Sequence, residues 1–262
     1  MYLDVQDLRE FYYRSTLGRA VQAALRGQMA RLWPDARGET VVGYGFAAPL
    51  LRPYLATARR VIALMPGPQG GMHWPPGAPN HSVLCQETRW PIKAQSVDKL
   101  VVLHGLDASD NATALLEECY RVLSDHGRAV FIVPNRVSLW ARRDGTPFSL
   151  SRPFSHTQLE KRLRWHGLQP VHHATALFQP PWTNKFWRKL GPSIEAMGQA
   201  IPILRGGVLI VEVEKQVPRP VRPGLGEILS KPLSVLEGLG KPEPASAHKI
   251  SSFAGQGGNK PR

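Results

Sequence analysis

The sequence predicts an α/β fold, a doubly wound and mostly parallel sheet of seven strands with helices ahead of its first strand. Three observations predict it. The β-branched run Thr40-Val41-Val42 passes directly into Gly43-Tyr44-Gly45-Phe46-Ala47-Ala48. Glycines one residue apart let a strand turn sharply and bring its backbone close to a ligand. Apolar runs then alternate with helical segments, the pattern of parallel strands joined by crossovers. Finally, 115–135 reads as helix, turn and strand in immediate succession.

Asp4 or Asp7 caps a first helix whose Leu8, Phe11 and Tyr12 share one face. A second helix over about 18–32 sets Val21, Ala24, Leu25, Met29 and Leu32 at helical spacing and stops before Pro34. The first strand follows, with a helix at about 49–55 and the second strand at 60–65. Five prolines and four glycines in 66–80 exclude a normal helix, so a long loop stands where a crossover helix would be. Further strands are expected at 82–86, 97–103, 128–133, 171–177 and 208–214. Helices are expected at 111–123 and 155–165, with Asp125-His126-Gly127 as a turn. Acids late in the last strand suit a sheet margin.

The 262 residues allow one domain of roughly 200 residues with appendages. The expected organisation is a domain at 1–216, made of a helical cap (1–38), a cofactor-binding half (39–135) and a substrate or partner half (136–216). A flexible basic tail follows at 217–262, where Pro and Gly abound and a short helix fits 227–236. No apolar run is long enough to span a membrane and no apolar signal core opens the chain, so a cytoplasmic protein is expected. Cys85 and Cys119 make no disulfide framework and read as small core residues. The net charge of +13 concentrates in two places. Ten Lys/Arg face two acids in 136–189, and seven face three in 216–262.

Three motifs carry a family likeness. They are Val42-Gly43-Tyr44-Gly45-Phe46-Ala47; Arg89-Trp90-Pro91-Ile92 followed by Ser96-Val97-Asp98-Lys99-Leu100-Val101-Val102; and Leu115-Leu116-Glu117-Glu118-Cys119-Tyr120-Arg121-Val122-Leu123 with Asp125-His126-Gly127-Arg128-Ala129-Val130 after it. Together they resemble the glycine loop, the fourth strand and the "E-x-x-R-V-L-x-x-G-G" segment of class I S-adenosylmethionine-dependent methyltransferases of the type 11-like kind. The resemblance implies a Rossmann-like fold and S-adenosylmethionine as cofactor. It implies that Gly43, Tyr44, Gly45, Phe46 and Ala47 hold the cofactor, and that Met65 and Glu87 contact its adenosine side. It places His104 beside the transferred methyl, as a base or an orienting group. Val41 and Met65 stand where the family carries acids, and the loop's third glycine is Ala47. Each lost ribose-binding carboxylate removes charge-assisted hydrogen bonds worth about 1.5–3 kcal/mol. Two such losses weaken affinity by roughly 100-fold or more.

Two functions stay open. One is methyl transfer to a small-molecule or protein acceptor. The other is a non-catalytic relative that binds an acidic partner protein through the basic segment carrying Trp140, Trp165, Trp182 and Trp187. That segment interleaves aromatics with Arg142, Arg143, Arg152, Arg162, Arg164, Lys185, Arg188 and Lys189, as nucleic-acid binders do, but nothing in it selects a base or a phosphate. Gly43, Gly45 and Ala48 also fit a dinucleotide-binding pattern, which wants an acid near Met65 and lacks it. Pro180-Pro181-Trp182 looks like the catalytic motif of amino-methylating nucleic-acid enzymes, yet lies far beyond the fourth strand where that motif belongs. No metal site is expected, because His172 and His173 point to opposite strand faces and His73 and His81 lack ligand spacing.

Overall fold

The computed structural model describes residues 3–182, 194, 195, 197, 198 and 206–216. The tail at 217–262, the helix expected at 227–236, and Lys185, Trp187, Arg188 and Lys189 lie outside the described residues.

Asp4 caps α1 (Val5–Arg9) by accepting a hydrogen bond from the Gln6 amide at 2.7 Å. A π-helical turn (Glu10–Arg14) joins it to α2 (Thr16–Leu32), which Ser15 caps through the Gly18 amide. The strands are β1 (Thr40–Gly45), β2 (Arg60–Pro66), β3 (Ser82–Cys85), β4 (Val97–Leu103), β5 (Leu123–Pro134), β6 (Leu168–Ala176) and β7 (Val208–Lys215). Between them stand α3 (Ala48–Leu51), α4 (Ala112–Val122) and α5 (His156–Trp165). A capping box at Ser155 and Gln158 starts α5, and Asn111 caps α4 through the Ala114 amide.

The sheet order is β3-β2-β1-β4-β5-β7-β6. The first five strands run parallel, and β7 is antiparallel to both β5 and β6. Every residue of β1 is buried, as the centre of a sheet covered on both faces requires. Alternation along β1 then sorts its side chains. Val41 faces the N-terminal helices with Leu8, Tyr12, Val21 and Leu25, whereas Val42 and Tyr44 face α4 and α5.

Three expectations change. The helix after the glycine loop is one short α-helix continued by a 3-10 turn over Arg52–Ala56, because Pro53 withholds a backbone donor. Asp125-His126-Gly127 does not precede the fifth strand but forms an excursion within it: Val97 pairs with Leu123, and Lys99 already pairs with Arg128. The last strand is not at the margin. β7 is inserted between β5 and β6, and β6 is the edge. Its acid Glu212 is 4% exposed, accepts from Trp33 Nε1 at 2.8 Å, and lies 3.3 Å from the Arg128 guanidinium. The buried acid of this interior strand is therefore explained by its partners, while Glu214 is exposed. Cys85 and Cys119 are free and buried. Among the described residues no helix is long and apolar enough to cross a membrane.

Candidate functional site

The candidate site lies where β1, β2 and β4 end. Gly45 has φ +77°, and a Cβ there would meet Leu103 O at 2.3 Å. That close approach lets the Phe46 amide donate to Leu103 O at 2.8 Å, locking the β1 tip onto the β4 tip. Gly43 is needed for a different contact: a Cβ would sit 2.7 Å from Leu51 Cδ1 and 2.8 Å from Ala47 Cβ, forcing α3 away from β1. The glycine loop is thus a packing device.

His104 ends β4 in the left-handed region, at φ +51°, and is 1% exposed. A non-glycine residue keeps that conformation only where its surroundings enforce it. Here they do. The Phe148 ring stands 4.8 Å from the imidazole, and Trp140 packs edge-on against Phe148. The segment that carries Phe148 is tied down by the Arg152 amide, which donates to Asp107 O at 2.9 Å.

The polar contacts of His104 run both ways. Burial and then the charge of Asp107 raise the Tyr12 pKa well above its ordinary value, so its hydroxyl remains a phenol. It donates to His104 Nε2 at 2.8 Å, the tautomer favoured by a carboxylate on the other side of the ring. That carboxylate is Asp107, whose Oδ2 lies 3.5 Å from His104 Nδ1. Neither Asp107 oxygen, nor His104 Nδ1, has a hydrogen-bond partner among the described residues. Gln69, just beyond β2 and 1% exposed, likewise has both amide atoms unpaired. Thr146 Oγ1 and Ser151 Oγ, in the covering segment, do too. Unpaired buried polar atoms are costly and few in folded proteins, so the atoms of His104 and Asp107, side by side after β4, mark a place where a polar group would be accommodated.

The expected cofactor residues divide. Gly45 and His104 meet at the strand tips, whereas Gly43 lies inside β1, paired with Ala63 and Val101. The Tyr44 ring does not point into the cleft; it stacks on Trp90 at 4.6 Å on the opposite face, leaving only its backbone for a ligand. Phe46 is buried beneath Tyr12, 5.4 Å between ring centroids, and Ala47 is buried beside it. Met65 is buried, with its sulfur accepting from the Met72 amide. Val41 belongs to the core against the N-terminal helices. Glu87 is committed to the Ser109 hydroxyl and the Asn111 amide at the start of α4. Sequence reasoning missed Asp107 and Gln69. The available signal was spacing: Asp107 is three residues after His104, and Gln69 four after Met65.

Next to the strand tips opens a cavity of about 550 Å³, reached by Ala48, Met72 and Trp74. Its charged lining is Asp7, Arg9, Glu10, Arg14, Arg26 and Arg52. Burial raises the Tyr13 pKa, and the positive charges of Arg26, Arg52 and Arg9 oppose that shift. Burial lowers the pKa of Arg26, which donates through Nε to Pro49 O at 2.8 Å. The tryptophans of the basic segment separate. Trp140 is core, its indole donating to Gln179 O at 2.8 Å, whereas Trp165 is 82% exposed. Trp165 lines a second groove of about 540 Å³ with Arg136, Arg152, Lys161 and Arg162.

No family model matches the chain, and no curated protein matches it in sequence. Solved structures do match. An S-adenosylmethionine-dependent methyltransferase of Thermotoga maritima aligns over 76% of this chain and 91% of its own, at 16% identity and a TM-score of 0.53. One from Mesorhizobium loti covers 77% and 99%, at 12% identity and a TM-score of 0.51. The [4+2]-cyclase SpnF covers 78% and 84%, at 15% identity and a TM-score of 0.50. The chain has the class I methyltransferase fold, and one of these three neighbours bears the name of another reaction.

Proposed function

We propose that the chain is an S-adenosylmethionine-dependent methyltransferase acting on a small, anionic acceptor. The observation that carries this reading is Asp107, a buried carboxylate with neither oxygen hydrogen-bonded, at the tip of β4. A buried anion wants a cation. The cofactor is a cation, and the chemistry it supplies is a sulfonium methyl already activated toward in-line displacement. The chain must then supply position and proton handling.

Gly43 and Gly45 draw α3 and the β4 tip close to β1, Asp107 balances positive charge, and Gln69 offers an amide to hydroxyls where Met65 offers none. His104 takes a proton from the acceptor at Nε2, and Asp107 beside Nδ1 stabilises the imidazolium. Tyr12 covers the site and yields its hydrogen bond as the acceptor enters. The arginine-lined cavity selects a carboxylate or phosphate on that acceptor. The alternative of a partner-binding protein without catalysis has the Trp165 groove as its surface, but it leaves the Asp107 oxygens without a hydrogen-bond partner.

The test is calorimetric titration of the purified chain with S-adenosylmethionine and S-adenosylhomocysteine, beside a Gly45→Asp variant. Micromolar binding that the variant loses supports the reading. A folded protein that shows no heat up to millimolar cofactor overturns it.

A further inference from the structure

Away from the cleft, His156, Glu160 and His173 converge. His156 and Glu160 lie one turn apart on α5, and His173 comes from the edge strand β6 packed beside it. Glu160 Oε1 is 3.3 Å from His156 Nδ1 and 3.1 Å from His173 Nε2. The ring centroids of the two histidines are 4.5 Å apart, and the three donor atoms all lie within 4.8 Å of one another. We propose that these side chains bind one divalent transition ion, with zinc as the representative, and leave its remaining position to solvent.

The distances fit this use. Zinc–ligand bonds of about 2.0–2.1 Å place the ligands of a tetrahedral ion about 3.3 Å apart. The two separations measured from Glu160 Oε1 are edges of that size. Two imidazoles and one carboxylate are also a donor set that borderline ions prefer over magnesium or calcium. The second carboxylate oxygen is occupied, since Arg164 Nη1 stands 3.0 Å from Glu160 Oε2. Arg164 therefore fixes the carboxylate to present one oxygen, as outer-shell partners of metal ligands do. Its positive charge opposes the ion and weakens binding. A bound ion would fasten the edge strand to α5. The sequence expectation of no metal considered only histidines close in the chain, whereas this set spans a helix and a strand.

The experiment titrates the tag-free full chain with zinc chloride by calorimetry, and with cobalt(II) by visible absorption. Expected are one equivalent of low-micromolar zinc, a four-coordinate cobalt spectrum, and an affinity lower by about tenfold or more in His156→Gln and in His173→Gln. Both histidines are partly exposed, and unchanged circular dichroism of the variants shows that they fold. Binding that both variants retain at full strength, or none in the native chain below about 100 μM zinc, overturns the proposal.

Discussion

The Tyr12 hydroxyl and His104 Nε2 share a hydrogen bond 2.8 Å long, joining the N-terminal helical segment to the tip of β4. Both residues are buried, so the bond closes the cleft from one side. It also leaves His104 with one satisfied nitrogen and one that faces only Asp107. Tyr12→Phe removes the donor and strands a buried acceptor, which costs about 1–3 kcal/mol. Urea denaturation measures it, and an unchanged midpoint contradicts the arrangement.

Gly45 and Gly77 have similar backbone angles, φ +77° and +75°, but different surroundings. A Cβ at Gly77 meets nothing within 4 Å, whereas at Gly45 it meets Leu103 O. Gly77→Ala should therefore lose only the left-handed penalty of about 1–2 kcal/mol. Gly45→Ala should lose at least about twice that, because the β1 and β4 tips must part. Equal losses in denaturant melts would show that the tips tolerate the methyl.

Asp107→Asn separates stability from function. Without ligand, the variant should be as stable as the native chain or more so, since a buried carboxylate without hydrogen bonds is replaced by a neutral amide. S-adenosylmethionine affinity should fall by about tenfold or more, because a charge-assisted contact is lost. Loss of stability with unchanged affinity would assign Asp107 a purely structural role.

Burial raises the Cys119 thiol well above its ordinary value, and Cys85 is pushed up to about 12. The unfolded chain thus releases these protons first as pH rises past 9.0, so stability should decline from there toward about 12. At pH 8 neither thiol should react with an aromatic disulfide reagent unless denaturant is added. Rapid labelling of the native chain would contradict their burial.

His166 and His173 are both shifted down from 6.5, chiefly by burial. Below 6.5 the unfolded chain takes up protons before the folded one, so stability rises with pH through that window. His166→Gln and His173→Gln should each flatten the melting temperature against pH between about 5 and 7. Parallel profiles for the native chain and both variants would refute this.

What the sequence by itself determined was local. Runs of β-branched and apolar residues specified β1, β2 and β4, and helical periodicity specified α4 and α5. The glycine pair located the strand turn at the heart of the cleft, and the prolines of 66–80 excluded a helix. These are decided by backbone sterics and short-range periodicity, which any window of the chain carries. Only the tertiary structure decided what depends on residues distant in sequence. Strand order is one such outcome: the inward place of β7 turns on pairing with β5 and on partners for Glu212. The turn of Tyr44 away from the cleft, into the core on the other face, follows from which face of β1 meets Trp90. The pairs Tyr12–His104 and Glu160–His173 exist because packing brings separate elements within hydrogen-bond reach, a distance that no spacing along the chain encodes.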